Sequence, residues 1–263
     1  MAGSARADSS ARSIVVKTSS EISVMLEANR IVSETLTMLK GLVEPGVTTW
    51  ELDMAAENLC LKRHARPAFK GYRGFPGSLC VSVNEEVVHG IPARKKKLKN
   101  GDIISIDFGV EFRGFFGDSA ITLPVGKIKA EVARLLAVTE TSLEKGIEQV
   151  KAGNRVADIS KSIQSHVEGQ GFSIVRQFVG HGIGSALHEP PEIPNFFHGE
   201  RTPRLLPGMV LAIEPMVNMG SHKVKVLKDG WTVITSDRQP SAHFEHSVAV
   251  TEGEPIVLSR REN

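Results

Sequence analysis

Two aspartates, Asp107 and Asp118, lie on one short stretch, Ile104 to Ile121, which reads ISIDFGVEFRGFFGDSAI. Apolar residues around Ile106 and at Phe115 and Phe116 predict two strands, and Gly114 closes a turn built on Glu111, Phe112 and Arg113. If Phe112 and Arg113 form a two-residue turn, paired residue numbers sum to 225, and Asp107 sits directly opposite Asp118 with Cβ atoms roughly 5 Å apart. Facing carboxylates repel, and buried ones cost more still, so this arrangement asks for a cation between them. A solvent-facing hairpin, or a bulged turn, removes that need.

Two glutamates extend the set. Glu214 follows the apolar run Met209 to Ile213, and Glu245 sits inside AHFEHSVAV (Ala242 to Val250). An unpaired glutamate at the end of a buried strand is costly, whereas one turned to water at Pro215 is not. Three histidines lie beside glycine or proline: His89 in VVHGIP, His181 in GHGIG, read as a flexible loop, and His188 in LHEPP. His64, His166, His198 and His222 lack such surroundings and read as surface residues, while His243 and His246 flank Glu245 as candidate supporting groups. Four carboxylates and one imidazole suit Mn²⁺, Fe²⁺, Co²⁺ or Zn²⁺, and bridging carboxylates can hold two ions ~3.5–4 Å apart. Calcium fits less well, because imidazole is a poor ligand for it and no EF-hand loop is present. The chain carries no HExxH, Walker A, GxGxxG or GxSxG motif.

The elements that must position these groups follow from periodicity. The chain has 263 residues, 41% hydrophobic and 24% charged, with a net charge of +2, which is the profile of an ordinary globular protein and not of a bulk nucleic-acid binder. Cys60 and Cys80 form no CxxC, as expected in a reducing, cytoplasmic setting. No run approaches the ~18 apolar residues of a membrane helix, and no signal-peptide core stands at the start. Residues 1–12 are expected to be a flexible tail, and residues 13–263 a single domain. Helices are predicted over Ser20 to Lys40, capped by Ser20, from Thr48 or Thr49 towards His64, over Lys129 to Lys151 and over Val156 to Glu168. Strands are predicted over Leu79 to Asn84, over 171–176, and in AIEPMV and AHFEHSVAV; an irregular loop fills 180–208. The basic run Arg94 to Lys99 reads as a solvated face.

The order of elements repeats. A shift of 107 residues places Val43 on Val150, Gly46 on Gly153, Leu98 on Leu205, Gly101 on Gly208, Ile106 on Ile213 and Asp107 on Glu214. Glu245 then takes the role of Asp118. The spacing between the two carboxylates grows from 11 to 31 residues, so the second half carries an insertion of about 20 residues, placed around 219–230. The expected halves are about 20–125 and 126–258.

HGIP, IDFGV, FGDSA, GHGIG, LHEPP, IEPM and FEHSVAVT, in this order, resemble the methionine aminopeptidases of type I over residues 13–258. The resemblance implies an α+β "pita-bread" fold with pseudo-two-fold symmetry around a curved antiparallel sheet. It implies metal ligands at Asp107, Asp118, His181, Glu214 and Glu245, and catalytic roles for His89, His188 and Glu214. It further implies one or two divalent ions (Co, Mn, Fe or Zn) and removal of N-terminal methionine from nascent proteins when the second residue is small. By the same resemblance the methionine pocket takes Phe69, Tyr72, Phe75, Cys80, Leu187 and Trp231, a thioether-compatible lining. Leu187 stands where an aromatic is common, and Phe69 where a cysteine is. Only 25 residues separate His188 from Glu214, leaving no room for the type II insertion. The zinc-binding N-terminal extension of some relatives is not seen.

Expected partners are the N-terminal peptide and, through Arg94 to Lys99 with Lys223, Lys225 and Lys228, ribosomal RNA; DNA, membrane and a second copy are not expected. Two other readings compete: an Xaa-Pro dipeptidase, which usually has an added N-terminal domain, and a metal-free binding module, which generally lacks several of the five ligands.

Overall fold

The computed structural model describes residues 13–197 and 199–261. The expected tail at 1–12 and His198 lie outside the described residues. Each half begins with two helices, α1 (Ser19–Leu42) and α2 (Thr49–Lys62) in the first, α3 (Ala130–Ile147) and α4 (Val156–Gly169) in the second. Thr18, not Ser20, caps α1: its hydroxyl accepts the Glu21 N–H, and the Glu21 carboxylate accepts the Thr18 N–H at 2.7 Å.

The first half continues with β1 (Arg66–Pro67), β2 (Cys80–Val83), β3 (Glu86–Val88), β4 (Ile103–Phe112) and β5 (Phe115–Pro124). The second supplies β6 (Ser173–Ile174), β7 (Val179–Gly182), β8 (Glu189–Pro194), β9 (Val210–Ile213) and β10 (Met216–Asn218). It goes on with β11 (Val224–Val226), β12 (Val233–Thr235), β13 (Ser241–His243), β14 (His246–Ala249) and β15 (Ile256–Val257). All pairings are antiparallel. β4 lies between β1 and β2 and also pairs with β5; β15, β14, β9, β7 and β8 are neighbours in that order. The strand predicted over 171–176 shortens to two residues. The supposed loop over 180–208 contains most of β7 and all of β8.

The repeat is visible in the backbone bonds. Gly46 N–H donates to Leu98 O, and Gly153 N–H to Leu205 O; Leu98 N–H donates to Val47 O, and Leu205 N–H to Asn154 O. Each pair differs by the same 107 residues. Thr48 bridges Lys97 as Arg155 bridges Arg204, again at this shift.

Alternation along β4 builds the core. Ile104, Ile106, Phe108 and Val110 are fully buried in one cluster with Leu36, Leu39, Leu52, Leu135, Ile159 and Ile163 of the helices. Burying each such side chain contributes about 1.5–3 kcal/mol. Period two then turns Ser105, Asp107 and Gly109 to the opposite face, where the carboxylates collect.

Candidate active site

The hairpin register differs from the expected one. Phe112 pairs with Phe115, so paired numbers sum to 227; Asp107 faces Ala120 and Asp118 faces Gly109. The two-residue turn is Arg113–Gly114, with φ of 51° and 80°. Both residues of a type I′ turn need positive φ, and Gly114 accepts that at no cost where Phe112 would not. Asp107 and Asp118 are therefore diagonal neighbours on one face. Across the sheet, Cys80 stands directly opposite Asp107.

The second half uses a different offset. Ile213 pairs with His246, and Met216 with His243, so both pairings sum to 459 and bring Glu214 opposite Glu245. Val125 N–H donates to Asp102 O as Val250 N–H donates to Met209 O, a shift of 125 on the returning strand. By that shift Glu245 is the counterpart of Ala120, and His243 that of Asp118, which corrects the equivalence expected from spacing. The hydrogen bond from Glu245 N–H to Ala120 O, 3.0 Å, shows this alignment directly. Beside it Ser247 Oγ donates to Asp118 O at 2.8 Å, and Ser119 Oγ to Glu245 O at 2.6 Å, which stitches the two carboxylate-bearing segments together.

His181 lies on a strand, not in a flexible loop. β7 runs between β8 and β9, and a Cβ on Gly180 would lie 2.3 Å from Ala212 O, one on Gly182 2.3 Å from Pro190 O. The glycines of GHGIG thus permit close backbone packing. The His181 ring places Nδ1 2.9 Å from Gly182 O; as the donor there, it leaves the Nε2 lone pair facing the cleft. Ligand atoms of Asp118, His181 and Glu245 all lie within 4.8 Å of one another. Glu214 Oε1 is 3.5 Å from His181 Nε2, and its Oε2 is 3.5 Å from His243 Nε2.

The donor set fits a divalent cation. Asp107 Oδ1 and Asp118 Oδ1 are buried without a hydrogen-bond partner among the described residues, as is His243 Nε2. Burial first, and then Asp118 for Asp107, Glu214 for Asp118 and Asp118 for Glu245, push all three carboxyls well above the usual carboxylate range. Unsatisfied acids crowded into a dry site are costly unless a cation joins them.

The cleft above them has a volume of about 280 Å³. Phe69, Phe75, Cys80 and Leu187 form one buried cluster, with Tyr72 and Trp231 packed against it, so all six expected pocket residues are assembled. Phe75 and Trp231 meet edge to face at 5.1 Å. Gly109 makes room for Phe69: a Cβ there would lie 2.8 Å from the ring. His188 is exposed at the mouth; its Nδ1 lies 2.9 Å from the Tyr72 hydroxyl and its ring 4.3 Å from that of His181. His89, in a left-handed backbone conformation with φ of 58°, packs against Phe178 at 5.6 Å and Trp231 at 6.2 Å. Burial lowers its pKa, against an opposing pull from Glu214, and favours a neutral ring.

Sequence reading missed Phe178 and Gln177, which carried no motif, and Met216, which closes IEPM but was given no role; all three also line the cleft. Of the histidines flanking Glu245, His243 reaches Glu214, whereas His246 bonds Ser259 Oγ at 2.8 Å. His166 is half-buried, not a surface residue, and His222 is half-buried too; His64 is exposed as expected.

A profile of metallopeptidase family M24 matches residues 23–252. The methionine aminopeptidase 1 of Bacillus subtilis is 54% identical over 247 residues, spanning 94% of this chain and 99% of that protein. The methionine aminopeptidase of Clostridium perfringens is 53% identical over 246 residues, spanning 94% and 98%. The crystal structure of the Thermotoga maritima methionine aminopeptidase superposes with a TM-score of 0.93 at 43% identity, covering 95% of this chain and all of that one. A prolidase from Pyrococcus horikoshii, 19% identical, shares the fold with a TM-score of 0.78, but the match covers only 64% of its length. Ordered motifs, the fold and full-length similarity converge: the chain belongs to metallopeptidase family M24, in its methionine aminopeptidase branch.

Proposed function

We propose that this chain is a metal-dependent aminopeptidase of type I that removes the first methionine from nascent proteins whose second residue is small, with residues 13–263 acting as one catalytic domain. The observation that carries this reading is the convergence of four carboxylates and one imidazole, drawn from both halves, in the lining of one cleft whose walls are otherwise largely apolar. Asp107, Asp118, His181, Glu214 and Glu245 would hold one or two divalent ions, which would supply Lewis acidity and lower the pKa of water. Glu214 takes the proton from the attacking water. His188, pinned by Tyr72, donates to the oxygen on which charge develops. His89 contacts the scissile amide from the Trp231 side. Phe69, Tyr72, Phe75, Cys80, Leu187 and Trp231 hold the methionine; burial keeps the Cys80 thiol neutral, so it acts as soft apolar lining.

Met-Ala-Ser hydrolysis after chelation and readdition of Mn²⁺, Fe²⁺, Co²⁺ or Zn²⁺ tests the reading; activity that survives in a metal-free sample refutes it. Ala-Pro cleavage faster than Met-Ala-Ser cleavage would favour the dipeptidase reading. The cytoplasm as workplace, action as a monomer and contact with the ribosome belong to the same proposal. In the basic run, Lys96 pairs with Glu86 and Arg94 stacks on Trp50 at 4.4 Å, while Lys95, Lys97 and Lys99 stay exposed. Ribosome co-sedimentation that is lost as salt rises checks that contact.

A further inference from the structure

Leu187 and His188 sit on a short turn between Gly184 and Glu189, and the anchor of that turn lies outside the cleft. Glu189 is buried, its side chain 7% exposed, and its Oε2 lies 2.6 Å from Lys17 Nζ, whose side chain is 3% exposed. The other oxygen, Oε1, accepts the Ala186 N–H at 3.0 Å and the Ser185 hydroxyl at 3.4 Å. Lys17 is itself tied down: Nζ donates to Val15 O at 3.0 Å, and its backbone N–H donates to Gly208 O at 2.8 Å. At the other end of the turn, Gly184 O accepts the Phe116 N–H from the first-half hairpin at 2.9 Å. The packing is tight, because a Cβ on Gly184 would lie 2.3 Å from Lys17 Cε and 2.7 Å from Glu189 Oε1.

We propose that Lys17 and Glu189 are positioning residues for His188: their buried ion pair fixes the 184–189 turn so that the imidazole meets the reacting carbonyl. The ammonium stabilises a carboxylate in a place with little water, and that carboxylate orders the turn through Ala186 and Ser185. Without Lys17, Glu189 is a stranded buried charge that gains by swinging towards water, and the turn moves with it. The proposal rests on the catalytic role assigned above to His188.

The test is a double-mutant cycle on the metal-loaded enzyme with Met-Ala-Ser. Lys17→Met should lower kcat at least tenfold, since misplacement of ~1 Å can cost ~10²-fold, while bound metal stays unchanged. In a His188→Ala background the same substitution should cost nothing further, because its target is gone. Lys17→Arg, which keeps the charge, should restore most of the rate. If Lys17→Met fails to fold, Glu189→Gln carries the same cycle, because it keeps an acceptor for Ala186 and loses the charge. An unchanged kcat in the folded single variant overturns the proposal. So does an equal loss in both backgrounds, which would mean that the pair acts on something other than His188. Full activity of His188→Ala alone would instead overturn the role of His188 on which the proposal stands.

Discussion

The two halves share a scaffold to the hydrogen bond yet divide the chemistry unequally. The helix pair and the crossing segments repeat at a constant shift of 107, from the bonds of Gly46 and Leu98 to those of Gly153 and Leu205. On the returning strands the shift becomes 125, and the carboxylate moves by two positions, from Asp118 in one half to the counterpart of Ala120 in the other. Two positions is one full period of a strand, so the group stays on the cleft face while its height changes. Duplication thus fixes which face carries carboxylates, whereas the individual substitutions decide how those carboxylates fan out. The two histidines proposed as catalytic break the symmetry entirely: at the 107 shift His89 meets Phe196, and His188 meets Val81.

With ligands proposed in both halves, losing one from either should be equally severe. Asp107→Ala and Glu245→Ala should each abolish Met-Ala-Ser hydrolysis and weaken metal retention, read by kinetics and elemental analysis. Retention of activity in one of the pair would mean that a single half suffices. The unsymmetric residues should behave differently. His188→Ala should lower kcat by ~10²–10³-fold, the scale for an oxyanion donor, with metal content intact; loss of metal there would make His188 a ligand. The fixed distance from the proposed methionine pocket, built by both halves, to His188 should also limit the second substrate residue. Met-Leu-Ser should be cleaved ~10²-fold more slowly than Met-Ala-Ser, and equal kcat/KM would sink this geometry.

Stability offers two finer comparisons. The raised carboxyl pKa values of Asp107, Asp118 and Glu245 mean that the metal-free folded state holds protons the unfolded chain releases near pH 4. Their contribution is full below that pH and lost as pH rises through the folded values, so the metal-free melting temperature should fall from about pH 5 towards neutrality. Mn²⁺ should remove that fall and release protons on binding, detectable in weakly buffered solution. Smallest of all should be the helix caps. Thr48 caps α2 through its own hydroxyl, accepting the Glu51 N–H at 3.2 Å. In α4 Arg155 replaces it, and Thr202 Oγ1 accepts the Ala157 N–H at 2.9 Å from a distant segment. Thr48→Ala and Thr202→Val should each cost about 1 kcal/mol in chemical denaturation; a neutral Thr202→Val would show that the second half does without a cap.

Much of this was legible in advance because it depends on local pattern. Helix periods, the face of Asp107 and the repeat all follow from which residues are apolar and how far apart they stand. The hairpin register was not, because it turns on whether Phe112–Arg113 or Arg113–Gly114 takes positive φ, a choice of one residue that shifts every pairing. GHGIG reads as a loop, since glycine normally marks one, but here the glycines serve backbone approach inside a sheet. Lys17 and Glu189 are 172 residues apart, and no periodicity connects them. The inserted segment showed as extra length and an approximate place, around 219–230; that it forms β11 and β12 and docks on β3 depends on an edge in the other half.

That inserted hairpin organises itself. Asp229 accepts the N–H groups of Trp231 and Thr232, both at 2.9 Å, and the Thr232 hydroxyl at 2.7 Å; no candidate metal ligand lies on the segment. It nonetheless delivers Trp231 to the proposed methionine pocket. Descent with modification can therefore vary taste while leaving every candidate ligand in place. A lineage that rewrites this one excursion would change which first residue is welcome, and would touch turnover only where Trp231 meets His89.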